Sequence, residues 1–487
     1  MIRLAFSLSY GLAYRNLVSA GVLARIAHMG IEAVAYLPPI ADVDRPGLTR
    51  ELPPGTTIRH LHRSWPSNTL KLLKFYKQYF YRRRTGLESF EVRRKFRRRG
   101  QPLFHAAATI GEWVAAALLS ERQIDAWLDR LDLPDERQYV NELRQDAVEA
   151  LVVTKPGYLP DELPLIKAAR RLRLPVISAD TTWDNMVSKR PPYLPVDVMT
   201  VWNQDMADQA DRYYGLARAA RVTGGPQFDT FFTTPALDRR SWLTACGFDP
   251  ERPVIVFALN NPALTPGNIE YIQLVAEASA DGRITARPNV IVRLHPWDRD
   301  PGYDAVAVRW SHVRIDRPFG TPATGTAYEC LPTRERVAWH GSLLQHSNVL
   351  INIASTSSLD GVAADRPVVN LSFDSVPTHP DLSVARYCQY SHFKPILDTG
   401  AVRSVATIDE MIAVTNRFLA DPSADSALRG EARRRFLTFE DDQSAARVAG
   451  AIAAAAGFTG RTNDLASKAA VGSESRPVAV HQRRTEP

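Results

Sequence analysis

Short apolar runs alternate along most of the chain with longer stretches in which apolar positions recur at helical spacing. Residues 2–7 read as a strand. Leu17, Val18, Val22, Leu23 and Ile26 then share a helical face, Gly30 stops the helix, and 31–37 form a second strand ended by Pro38 and Pro39. Residues 57–61 make a third. From Pro66 to about Asp146 strand signals vanish and Leu, Lys, Arg and aromatics dominate, which predicts two to four inserted helices. Strands resume at 150–154, 176–179, 198–202 and 220–223, with helices at 162–172 and 205–214 between them. After a linker at 233–237 the alternation starts again. Strands fall at 254–259, 290–294, 349–353 and 368–371, and helices at 268–280, 334–346, 359–364, 408–419, 424–436 and 443–456.

The pattern predicts an α/β protein of two consecutive open parallel sheets, 1–235 with a helical insertion at 66–146, then 236–440. The mixed Ser, Thr, Gly and Arg of 459–487 predict disorder. Ligands of such sheets sit beyond the carboxyl ends of the strands, so the chemistry belongs in the loops that follow strands.

Composition sharpens this only in places. The 487 residues, 45% hydrophobic and 23% charged, exclude disorder for the chain as a whole. Cys246, Cys330 and Cys388 lie far apart, which excludes a disulfide framework or zinc ribbon and suits a reducing compartment. The most apolar stretch, 103–119, carries His105 and Glu112 and is too short to span a bilayer. Residues 1–27 superficially resemble a leader, but Arg15 and Asn16 interrupt the apolar run, so they read as strand and helix of the fold. The net charge of +7 is local. Residues 71–99 hold twelve Lys/Arg against two acids, a net +10, which leaves the rest at −3. A broad nucleic-acid-binding face is therefore disfavoured. Within 71–81 aromatics alternate with cations. Such a segment lies on an anionic bilayer, binds an acidic polymer, or packs its aromatics on the first domain as a solvated helix.

Several cofactor signatures are missing. No G-x-G-x-x-G follows a strand, and the P-loop spacing of Gly320 and Gly325 has Thr326 in place of lysine. H-E-x-x-H and G-x-S-x-G are absent. Asp298-Arg299-Asp300 matches a metal-holding D-x-D, but in a charged loop it reads as solvated surface. Ser355, Thr356, Ser357 and Ser358 follow a strand and precede a short helix. Four hydroxyls with backbone N–H groups at a helix N-terminus suit an anion, and plain N-capping by Ser357 or Ser358 is the alternative. Asp360 either reaches ribose hydroxyls or complements the helix dipole. Arg293 and His295 share a face at another strand end, where both can donate to a diphosphate, and Pro296 fixes the exit. In the first unit, Gly224 to Asp229 is a tight turn before the linker. Asp180 to Asn185, with Trp183 and then Lys189, either binds a ligand or caps the next element.

Residues 178–189, Val201-Trp202-Asn203, 222–229, Arg293 to Pro296, Ser355 to Asp360, 366–370 and His392-Phe393-Lys394-Pro395 together carry a resemblance. Their order, over about 151–412, resembles a bacterial group related to glycosyltransferases and similar to CDP-glycerol glycerophosphotransferases and UDP-N-acetylglucosamine 2-epimerases. The resemblance implies a GT-B-like architecture: two Rossmann-like domains facing a central cleft, the nucleotide on the second, and a last helix at 441–458 that crosses back to the first. Two departures matter. Ile353 and Ala354 stand where the glycerophosphotransferases have aspartate and tyrosine, and Ser357 to Asp360 where the epimerases have paired glycines and glutamates. Neither activity carries over. The expected function is transfer of a sugar from a nucleotide-sugar donor to a cell-surface polysaccharide or lipid-linked acceptor. The alternatives are glycerophosphoryl transfer, epimerisation, and non-catalytic binding. In this reading Arg293, His295, Ser355, Thr356, Ser357, Ser358 and Asp360 hold the donor, with His295 close to the chemistry. Asp184 is the acceptor's base, and Ser7, Asn16, Trp183, Asn185, Lys189, Gly224 and Gln227 line the acceptor side. No metal or cofactor beyond the co-substrate is required and no nucleic acid is involved. The chain is placed in the cytoplasm, with 71–99 against the inner face of the plasma membrane.

Overall fold

The computed structural model describes residues 2–38, 50–62, 66–100, 102–155, 161–216, 218–265, 267–296, 298, 300–318 and 332–458. The glycine spacing at 320–325, Arg299, Cys330 and the tail 459–487 lie outside the described residues.

The first sheet contains β1 (Arg3–Ser7), β2 (Glu32–Leu37), β3 (Thr57–His60), β4 (Ala150–Val153), β5 (Val176–Ala179), β6 (Val198–Val201) and β7 (Ala220–Val222). The second contains β8 (Val254–Ala258), β9 (Asn289–Arg293), β10 (Val313–Asp316), β11 (Val349–Asn352), β12 (Val368–Leu371) and β13 (Val402–Val405). All pairings are parallel, in the orders β3-β2-β1-β4-β5-β6-β7 and β10-β9-β8-β11-β12-β13. Central strands such as β4 and β11 are buried along their whole length, which is why they are mostly Val, Leu and Ile, with Ala150 opening β4 and Asn352 closing β11. Each sheet starts in the middle, winds to one edge and then crosses to the other. The reversals fall between β1 and β4 and between β8 and β11. The edge strands β10 and β13 bury only their end residues and gave no readable apolar run.

The insertion holds five helices where two to four were predicted: Asn68–Thr85, Glu88–Gly100, Pro102–Leu118, Glu121–Arg130 and Glu136–Gln145. Local signals divide them. The Ser67 hydroxyl accepts from the Leu70 N–H, Gly86 ends the first helix at φ +61°, and Ser120 and Gln123 form a reciprocal capping box.

Helix Ser444–Ala455 returns to the first sheet. Its Ala445, Val448, Ala449, Ile452 and Ala453 pack with Leu4, Phe6, Val22 and Ile26. The small alanines let it lie close. Asp229 accepts from the backbone N–H groups of Ser444 (3.0 Å) and Ala445 (2.9 Å) and so caps this helix from afar. Gly224 is required here. It has φ +78°, and a Cβ on it would stand 2.5 Å from Ser444 Oγ. Insertion helices and 162–171 cover the opposite face of the first sheet. A further apolar cluster runs between the domains, joining Trp183, Trp202 and Phe228 to Trp242, Leu343, Phe393 and Phe436.

Candidate functional site

The two sheet reversals put the ligand crevices beyond the carboxyl ends of β1 and β4 and of β8 and β11. The loops there face one another. The ring of Trp183, after β5, meets the edge of His392 of the second domain at 5.1 Å. Gln227 Nε2 donates across the cleft to Asp360 Oδ1 at 3.4 Å.

Ionisable groups gather on the first-domain side. Glu162 is fully buried and accepts from Ser7 Oγ (2.8 Å) and Ser9 Oγ (3.2 Å). Burial pushes its carboxyl up to about 7 against those hydrogen bonds and the pull of Lys155. Asp180 Oδ1 accepts from the Thr182 N–H (3.2 Å) and Asn185 Nδ2 (2.5 Å), while Oδ2 is buried with no hydrogen-bond partner among the described residues. Burial pushes this carboxyl, too, up to about 7. Lys155 Nζ sits 3.9 Å from the centroid of the Tyr10 ring, and the Tyr10 hydroxyl bonds Thr181. Burial pulls the Lys155 ammonium below its ordinary pKa. From the second domain comes His392, which burial lowers to about 4, so that it is neutral at pH 7.

Asp184, the expected base, is paired with Lys189. Burial alone would raise its pKa, but Lys189 at 2.8 Å, His392 and Lys155 outweigh burial and hold the carboxylate well below its ordinary range. A carboxylate so stabilised takes up a proton poorly. Lys189 is thereby engaged, and also reaches Thr182 at 3.4 Å. Ser7 is buried and donates to Glu162. Asn16 is buried and donates to the Leu12 carbonyl at 3.0 Å. Asn185 holds Asp180, Trp183 fills the interdomain core, and Gly224 belongs to the returning helix.

On the second-domain side the carriers of charge are already paired. Arg293 donates to Asp316, which also accepts from Trp339 Nε1 at 3.2 Å. Burial lowers His295 to about 4, so it is a neutral imidazole that can still offer one N–H to a diphosphate. Asp360 takes Gln227 on one oxygen and lies 3.2 Å from His340 Nε2 on the other. Arg15, on the helical segment that follows β1, donates to Gln227, so Arg15, Gln227, Asp360 and His340 form one chain of contacts across the cleft. Arg15 and His340 were missed because nothing in a lone arginine or a mid-helix histidine shows a partner far along the chain.

The hydroxyl run divides by task. Ser355 Oγ caps the Ser357 N–H at 3.1 Å, and the buried Ser358 Oγ accepts from Asn352 at 2.8 Å. Ala354 is held at φ +30° with its N–H on Asn370 Oδ1 at 2.6 Å. The helix Ser357–Ala363 is short, and Ser355, Thr356 and Ser357 remain half-buried at its start. Asp298 accepts from Asn268 Nδ2 and the Tyr303 hydroxyl, and among the described residues no group of three His, Cys, Asp or Glu is placed to hold a metal.

The basic insertion is no free arm. Lys77 pairs with Asp125, Arg82 with Glu112 and Arg84 with Glu121, while Arg93 donates to the Ser188 carbonyl. Helix Glu88–Gly100 crosses to the second domain. There the Ser391 N–H bonds Ser89 Oγ at 2.7 Å, and the Arg386 guanidinium lies 4.4 Å from the Phe96 ring centroid. A pocket of about 530 Å³ opens between this helix and residues 374–389, lined by Val92, Lys95, Asp374, Asp381 and Arg386 among others.

No family model and no curated protein matches the chain. Solved structures do. S. aureus MnaA, solved with UDP, superposes with a TM-score of 0.53 at 9% identity, over 94% of this chain and 98% of that one. The UDP-N-acetylglucosamine 2-epimerase of Neisseria meningitidis, solved with UDP-N-acetylglucosamine, gives 0.51 at 9% identity, over 93% and 99%. The chain thus has the GT-B-like fold of two Rossmann-like domains facing a cleft.

Proposed function

We propose that this chain is a nucleotide-sugar enzyme of the glycosyltransferase type. The donor lies against the second-domain loops after β8, β9, β11 and β12, and an acceptor is activated by the first domain. One observation carries the reading: Asp180, at the carboxyl end of β5, has a buried carboxyl oxygen with no hydrogen-bond partner among the described residues, in the loop whose Trp183 meets His392 of the other domain. A carboxyl that titrates near 7 is matched to taking a proton from a hydroxyl at neutral pH. In this reading Asp180 takes the place of Asp184 as the base, and Lys155 lies near both Asp180 and Glu162. The folds solved with UDP and with a UDP-sugar support a nucleotide-linked donor.

The pocket under the insertion favours transfer over epimerisation. It adds a second volume beside the donor loops, which an acceptor needs and a reaction on one sugar does not. Epimerisation is the second reading, because two carboxyls near 7 would also suit removal and return of a proton at a sugar carbon. The test is mass spectrometry after incubation with a panel of UDP-, GDP-, dTDP- and CDP-linked donors, with and without an envelope extract as acceptor. Acceptor-dependent release of nucleoside diphosphate supports transfer. An isomerised donor without acceptor supports the second reading, CMP release supports glycerophosphoryl transfer, and no binding of any donor overturns all three. Asp180→Asn should lower turnover by about 10²–10⁴ with donor affinity retained.

A further inference from the structure

Helix Pro102–Leu118 is built inside out. Its inner face carries charge: Glu112 is buried, pairs with Arg82 and lies 4.0 Å from Arg94, while Thr109 Oγ1 accepts from Arg94 at 3.3 Å. Its outer face is apolar. Leu103, Ile110, Val114 and Leu118 recur at helical spacing with Trp113 beside them, and they are 86%, 67%, 51%, 72% and 76% exposed in that order. Leu72 and Trp127 on neighbouring inserted helices are also exposed. A single exposed leucine needs no explanation, but a continuous apolar helix face set outward by an inward ion pair does.

We propose that this face docks in the plane of an anionic bilayer, with the helix lying among the headgroups. Charge complementarity selects the occupant. Lys71, Arg83 and Arg97 are exposed on the adjoining helices, in a segment of net +10. A second copy of the chain would set two such segments against each other, whereas anionic headgroups neutralise them. Trp113 and Trp127 suit the boundary between headgroup and acyl chain. No helix among the described residues is long and apolar enough to cross a membrane, so the contact is interfacial. The proposal is independent of which donor or reaction the cleft serves.

Flotation of the full chain with phosphatidylcholine vesicles, with and without about one third phosphatidylglycerol, tests this without any nucleotide present. The native chain should float with the anionic vesicles, and Trp113→Glu should lower its partition about tenfold or more with an unchanged melting temperature. Brominated lipid should quench fluorescence in the native chain more than in Trp113→Phe. Three outcomes overturn the proposal: no flotation of the native chain, flotation unaffected by Trp113→Glu and by Leu118→Glu, or a native dimer that Trp113→Glu converts to monomer.

Discussion

Asp180 and Asp184 share one loop and are driven in opposite directions, the first up to about 7 by burial and the second down, where Lys189, His392 and Lys155 outweigh burial. The sequence shows both carboxylates but not which gains a cation, because that depends on how the chain turns at 185–189. The difference is measurable. A carboxyl with a raised folded pKa holds an extra proton in the folded state between about 4 and 7, so its contribution lowers stability as pH rises through that window. Asn carries no such proton. Calorimetry should therefore show the melting temperature of Asp180→Asn climbing relative to the native chain from pH 5 to pH 8; a constant difference would mean an ordinary carboxyl. Arg293 teaches the same lesson. Its position at a strand end was legible, its commitment to Asp316 on the neighbouring strand was not. Arg293→Ala should cost about 1.5–3 kcal/mol in denaturant unfolding. In a double-mutant cycle Asp316→Ala should cost much less once Arg293 is gone.

Among the elements, whatever the core buries deeply was legible and whatever sits at an edge was not. The central strands and long helices follow the apolar period, while β10 and β13, and the division of the insertion into five helices, rest on two-residue patterns and on caps such as Ser67 and Ser120. The returning helix shows a device no local pattern reports, since its cap, Asp229, comes from 215 residues earlier. Asp229→Ala should cost about 0.5–2 kcal/mol. Hydrogen exchange should quicken first in 444–458, and uniform quickening across the first sheet would argue against a capping role.

For the whole molecule, the two-sheet architecture and its cleft could be read from the alternation of strands and helices, but the contacts that close the cleft could not. They join residues as distant in sequence as Gln227 and Asp360, or Ser89 and Ser391. The second of these has a kinetic consequence. The polypeptide passes between domains twice, near 226–238 and near 437–443, and the two passages lie together, for Gly224 abuts both Phe439 and Ser444. Two crossings side by side act as a single door-hinge, and the bond from Ser391 to Ser89, with Arg386 on Phe96, is the latch on the free edge. A ligand entering such an enclosure waits for the door. In stopped-flow mixing the observed binding rate should level off at high ligand concentration, at the frequency of unlatching. Ser89→Ala should raise that plateau and the initial slope together, and a rate that climbs linearly without limit would mean the door already stands open.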